Sequence, residues 1–302
     1  MDSKSAWLLI AIGASLWGVI GVFVTYLYEI GFTPFEVVAM RVLTASVFMV
    51  PYVLIKNRHL FKIKVKDSRY FIGTGIISIV LFNWCLFSSM QESSISIAFI
   101  LLYTAPAFVT ILSRILFKEA LTARKVTALL ITLIGCSLVV GIFSSSSASI
   151  SLYGLIVGLG SGFFYALYSI FGKAALSKYD SLTVTVYTFL FAAVAIVPFS
   201  GIGSRISTFT DLKVLGLVIG LGFLSTMLPF IFYTKGLQYV ESSRASIIAT
   251  IEPVVASVVG FFIFNETLSL WQYVGMIMVI SSVIIVQESK KRHATLYHNA
   301  NA

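Results

Sequence analysis

Glu252 stands directly before Pro253 in an unbroken apolar run, nine residues after Ser243 and twelve before Phe264. Proline cannot donate a backbone N–H, and its ring clashes with the turn before it, so a helix bends or loosens beside this carboxylate. An acid in such a place can hold an amine when ionised or carry a proton. The plainer reading is a glutamate tied to neighbouring hydroxyls. Pro106 repeats the kink in another apolar run. Two further polar side chains share the setting. Arg41 can face a cavity and hold an anion, or reach back to the surface along its aliphatic stem. Asn83 needs hydrogen-bond partners, from a neighbouring helix or from a bound solute. Aromatic residues accompany these groups at middle depths of their runs: Trp17, Tyr103, Phe164, Tyr168, Phe230 and Tyr233. A box of rings around one carboxylate suits an organic cation, or a zwitterion such as an amino acid. Metal and cofactor chemistry is not expected. His59, His293 and His298 lie outside the apolar runs, and Cys85 and Cys136 stand alone.

The elements that must position these groups follow from composition. Of 302 residues, 58% are hydrophobic and only 11% charged, with a mean hydropathy of +0.98. A soluble domain carries about 25% charge, so the chain cannot cover itself with a polar surface. Disorder is excluded by the same figures, and a disulfide scaffold by two cysteines. A spanning helix needs roughly 20 apolar residues. That ruler predicts an all-α integral membrane protein with ten spans, near 7–28, 35–55, 70–89, 95–117, 123–143, 152–174, 182–199, 214–234, 244–264 and 270–287. The first is expected to be a retained span, since the charged region and cleavage site of a signal peptide are missing.

The net charge of +9 is a topology signal rather than a sign of nucleic acid. Of 21 lysines and arginines, 17 fall in loops on the side of the N-terminus and two, Arg205 and Lys213, on the other. Cationic short loops stay in the cytoplasm, so both termini are expected there. Arg114 is expected to reach the nearer surface.

A shift of 147 residues aligns Pro106 with Pro253, Pro51 with Pro198, Arg58 with Arg205, Gly73 and Gly75 with Gly220 and Gly222, and Glu119 with Glu266. Five spans in each copy place the second copy upside down, the inverted repeat common among secondary transporters. The expected organisation is a first repeat at 1–143, a Ser-rich linker at 144–151, a second repeat at 152–287 and a basic cytoplasmic tail at 288–302. Thr122 and Ser269 read as N-caps, Ser269 with Gln272 as a capping box. Glu119 and Glu266 read as acids favoured near a helix start. Gly154, Gly158 and Gly162 read as a face for close helix packing.

Two segments, Ile251-Glu252-Pro253-Val254-Val255-Ala256 followed by Phe264-Asn265-Glu266-Thr267-Leu268, stand with Ala14-Ser15-Leu16-Trp17-Gly18 near the start. In these motifs and its five-plus-five repeat the chain resembles the EamA-type members of the drug/metabolite transporter superfamily, from about Trp7 to Gln287. One departure is Phe164-Tyr165-Ala166, where the family typically has Trp-Ala. The resemblance implies a multi-pass protein of the bacterial cytoplasmic membrane, monomer or homodimer, with a cavity between the repeats. It also implies export, or sometimes uptake, of a small metabolite such as an amino acid; the inverted repeat points to alternating access, and Glu252 makes the proton a candidate coupling ion. The alternative is a membrane-embedded enzyme for lipid-linked substrates. Such enzymes need clustered acids, histidines or nucleophiles, and here one mid-span carboxylate stands without them.

Overall fold

The computed structural model describes residues 2–142 and 151–287. The expected linker, Ser151 apart, and the expected basic tail lie outside the described residues. Among the described residues the fold is all helical. Eight segments are long and apolar enough to cross a membrane. They are Ser3–Glu29 (α1), Pro34–Phe61 (α2), Val65–Glu92 (α3), Ile95–Phe117 (α4), Leu152–Leu176 (α6), Ser181–Phe199 (α7), Leu212–Leu237 (α8) and Ser242–Phe264 (α9). Two further expected spans form shorter helices of 17 residues each, Ala123–Val139 (α5) and Leu270–Val286 (α10). Large apolar side chains such as Ile55, Val194 and Phe262 point outward, a surface that water would not tolerate but hydrocarbon does.

Local sequence sets the helix ends. Thr122 caps α5 by accepting from Lys125 N–H, and Ser269 with Gln272 closes a capping box on α10. A second capping box, Thr33 with Glu36, starts α2. Ser151 caps α6 and its hydroxyl donates to Glu92, so it belongs to the helix rather than to a loose linker.

The long helices are interrupted where a cavity needs them to be. α4 breaks at Tyr103–Thr104 and α9 at Thr250, one turn before Pro106 and Pro253. Beside each break a threonine hydroxyl adds a second donor to a carbonyl that already accepts a backbone N–H. Thr104 Oγ1 donates to Leu101 O, and Thr250 Oγ1 to Ile247 O. Stretches of π-helix widen α3 over Ile72–Val80 and α8 over Gly220–Met227. There Gly75 lets the backbone of α7 approach, and Gly222 lets Thr44 of α2 approach. Left-handed residues, Lys118 (φ 56°) and Asn265 (φ 54°), end α4 and α9 at positions 147 apart.

The packing mixes early and late helices. α1 lies against α8 and α9, α2 against α7 and α8, and α3 and α4 against α6. Gly158 and Gly162 of α6 pack on Leu101 and its neighbours, and Ser89 donates to Gly154 O. α5 and α10 form a close pair. Thr132 Oγ1 donates to Ser282 Oγ at 2.7 Å. A Cβ at Gly275 would sit 2.7 Å from Gly135 O and Val139 N.

That contact gives a stability prediction. Gly275→Val should lower the melting midpoint in detergent, with an overpacking cost of about 1–3 kcal/mol. Gly216→Val, where a Cβ meets nothing within 4 Å, should leave it nearly unchanged.

Candidate functional site

A cavity of about 410 Å³ lies between α1, α2, α3, α4, α6, α8 and α9. Asp2 and Gln287 line one cleft together, which marks a terminal face of the molecule. The cavity opens toward the other, distal face: its mouth is lined by Tyr28, Val37, Met90 and Ile95, beside the α1–α2 and α3–α4 turns. Its walls are mainly apolar, and three polar side chains stand out: Arg41, Asn83 and Glu252. Glu252 Oε2 accepts from the Tyr165 hydroxyl at 3.4 Å. Arg41 Nε is buried and has no hydrogen-bond partner among the described residues. It faces the same cavity as Glu252 without pairing with it within 4.0 Å. Opposite charges in a space with little water attract far more than in bulk solvent, so a solute carrying both charges can sit between them. Asn83 Nδ2 donates to Ile79 O at 2.7 Å, which leaves its oxygen to accept.

Deeper in, Tyr103, Pro106, Tyr168, Tyr233 and Thr250 surround a chamber of only about 40 Å³. Trp17, Tyr165, Phe230 and Glu252 line both spaces and form a septum between them. Its rings meet edge to face: Trp17 with Phe230 at 5.0 Å and 79°, and Tyr168 with Phe230 at 5.0 Å and 88°. Two hydrogen bonds of 2.6 Å, Tyr168 with Thr234 and Ser169 with Tyr233, fix the tyrosines. The septum is thus packed and ordered.

Beyond it the terminal face is sealed by charge. Ser242 N–H and Ser243 N–H donate to the two oxygens of Glu119, at 2.7 and 3.2 Å. Burial opposes the charge on Glu119. The bonds from Ser243 and Ser242 and the nearby Lys125 outweigh it and hold the carboxyl below its ordinary range. Lys125, itself 2% exposed, bridges Glu119 at 3.8 Å and Glu241 at 2.9 Å. Lys173 Nζ donates to Leu237 O and Val240 O. Sequence reasoning assigns Glu119 to its own helix start; the structure gives it to α9, because the turn after α4 carries it across to that helix.

Of the residues singled out in the sequence, Arg41, Asn83, Glu252, Trp17 and Phe230 line the outer cavity, and Tyr103, Tyr168, Tyr233 and Pro106 the inner chamber. Arg41 therefore faces the cavity rather than the surface. Pro253 is buried behind Glu252. Phe164 lines neither space and meets Phe163 edge-on instead. The residues of α6 that line the chamber are Tyr165, Ala166, Tyr168 and Ser169. At about 100° per residue, that face is centred roughly 120° away from Phe164. Tyr165, Phe82 and Tyr28 were missed; the signal for Tyr165 was its place in the same register as Ser169. Arg114 donates to Glu119 O at 3.3 Å, so it holds the α4–α5 turn.

The EamA-like transporter family matches this chain twice, over residues 4–141 and 152–287. The chain belongs to that family. Among its relatives are two uncharacterized transporters of Archaeoglobus fulgidus. One is 30% identical over 93% of this chain and 98% of its own length, the other 31% identical over 70% and 75%. The uncharacterized inner membrane transporter YicL of Salmonella typhimurium is 24% identical over 97% and 98%. A protein of known crystal structure superposes with a TM-score of 0.78 over 99% of both chains at 14% identity, a likeness of fold.

The register of α6 is testable. In membranes, with Cys85 and Cys136 replaced by alanine, Tyr165→Cys should react with a water-soluble maleimide added from the distal side, and Phe164→Cys should not.

Proposed function

We propose that this protein is a secondary transporter that exports a small zwitterionic metabolite, an amino acid or a close relative, by alternating access. The observation that carries the reading is the pair of unpaired opposite charges, Arg41 and Glu252, facing one apolar cavity. A carboxylate of the solute would lie on Arg41, its ammonium on Glu252, and its side chain against Trp17, Phe82 and Phe230. A guanidinium suits a carboxylate through two parallel donors, and rings beside Glu252 favour a cation. Glu252 is also the residue able to exchange the amine for a proton, which makes the proton the coupling ion we assign.

The architecture we assign is ten spans, α1–α10, in two five-helix repeats of opposite orientation, 1–143 and 152–287. Support comes from the 147-residue shift that relates the prolines, the paired glycines and the left-handed residues. The α5–α10 pair would cross as short helices of about 26 Å at 1.5 Å per residue. The excess of lysine and arginine on the terminal face puts both termini in the cytoplasm, so the cavity opens outward. The site would then sit near the midplane, where repeat symmetry places it.

Proteoliposomes loaded with a mixture of L-amino acids should show counterflow of at least one labelled amino acid. Glu252→Gln and Arg41→Gln should each lower its rate at least tenfold, since removing one partner leaves a charged group of the solute unpaired in a dry site. Turnover of a lipid without movement of any solute would replace this reading with an enzymatic one.

A further inference from the structure

Glu119 sits in the α4–α5 turn but spends both oxygens on the first turn of α9. Ser243 Oγ donates to it as well. A carboxylate on free N–H groups at the positive end of a helix is a strong local contact. It joins an early helix pair to a late one on the terminal face, where the cavity is shut.

The α9–α10 turn carries the same device. Glu266 follows the left-handed Asn265 as Glu119 follows the left-handed Lys118. Both backbones make the same closing bond, Glu119 N to Ser113 O and Glu266 N to Gly260 O, each 3.3 Å. The positions corresponding to Ser242 and Ser243 are Ile95 and Ser96, the first turn of α4. On this side the device is undone. Glu266 is exposed and its carboxylate lies against Gly260. Ile95 is 65% exposed and lines the cavity mouth. Among the described residues Glu266 makes no side-chain hydrogen bond to α4. Local geometry is therefore repeated while engagement is not, and the engaged copy is on the closed face.

We infer that Glu119 and Glu266 are alternating latches: Glu119 caps α9 while the cavity opens to the distal face, and Glu266 caps α4 when it opens to the terminal face. The inference rests on the inverted-repeat, alternating-access reading above. The two latches are chemically alike, so exchanging one for the other swaps similar energies, which keeps both states within thermal reach. They are not identical. Lys125 stands behind Glu119, whereas the corresponding residue behind Glu266 is Gln272, which serves the α10 capping box. The extra cation favours the state open to the distal face, the one observed.

Two reporters read the equilibrium in a chain whose Cys85 and Cys136 are replaced by alanine. Gly21→Cys lies in the outer cavity, with open space at its Cβ. Ser246→Cys lies in the inner chamber on α9. Membrane-impermeant maleimide is applied from outside for the first and to inverted vesicles for the second. Glu119→Gln should speed labelling of the inner reporter by up to about fivefold, the equilibrium shift of one lost helix cap, and slow labelling of the outer one by a smaller factor. Lys125→Gln should act in the same direction, more weakly. Glu266→Gln should do the reverse, slowing the inner reporter about fivefold. Both reporters speeding together in Glu119→Gln would mean a loosened floor and would overturn the latch. So would unchanged labelling in Glu266→Gln, a variant at an exposed side chain that carries the test alone where Glu119→Gln does not fold. A wild-type protein whose two reporters both react from one side would overturn alternating access itself. Reporters that stay exclusive but ignore both variants would overturn the latches only.

Discussion

Hydrocarbon supplies neither hydrogen-bond donors nor acceptors, so a chain that crosses it must satisfy its own polar atoms or gather them where water can reach. The irregular points of this fold answer to that demand. Where α4 and α9 break, threonine hydroxyls spend their protons on carbonyls of the preceding turn. Ser46, Thr110, Thr185, Ser257 and others return their hydroxyls to carbonyls one turn back. The charges that cannot be answered so cheaply are collected at the cavity or at the helix ends. Glu36 closes a capping box and lies 3.5 Å from Arg205, and Asp67 binds Lys178 and Tyr179. Arg41 and Glu252 are the two collected at the cavity, where they form no ion pair with each other within 4.0 Å.

Close helix contact follows from the same constraint. Without a hydrophobic gain between helices already in lipid, association depends on fit. Gly13, Gly18 and Gly236 let α1 settle on α8 and α9, bringing Trp17 against Phe230 and Tyr233. The septum is therefore a product of glycine positions some distance from it. The π-helical stretches in α3 and α8 serve the neighbouring wall, where glycines again admit backbone or side chains of α7 and α2.

Much of this was legible in the sequence because single residues carry their own penalties. A glutamate beside a proline in an apolar run, an arginine inside a span and an asparagine inside another each needed an explanation, and each lies on the cavity. Caps at Thr122 and Ser269 were legible for the same reason. Rotational register was not. Phe164 and Tyr165 are adjacent and both aromatic, so composition cannot say which turns inward; the packing of α6 on α3 and α4 decides it. The partner of Glu119 was also out of reach, since the α9 backbone amides it meets are more than 120 residues away and amides leave no mark in a sequence. Lengths were legible only to within a few residues: α5 ends at Val139, just before the left-handed Gly141, and α10 starts only at the Ser269 cap.

The two unequal spaces on either side of the septum have an electrical consequence. The outer one, at about 410 Å³, is far larger than the inner one, at about 40 Å³. A continuous file of water would conduct protons and discharge the membrane with every opening. Interlocked rings between a wide vestibule and a small chamber break that file. On the transport reading proposed above, the form open to the distal face would remain an insulator, and a cell could hold many copies of it open without losing its membrane potential.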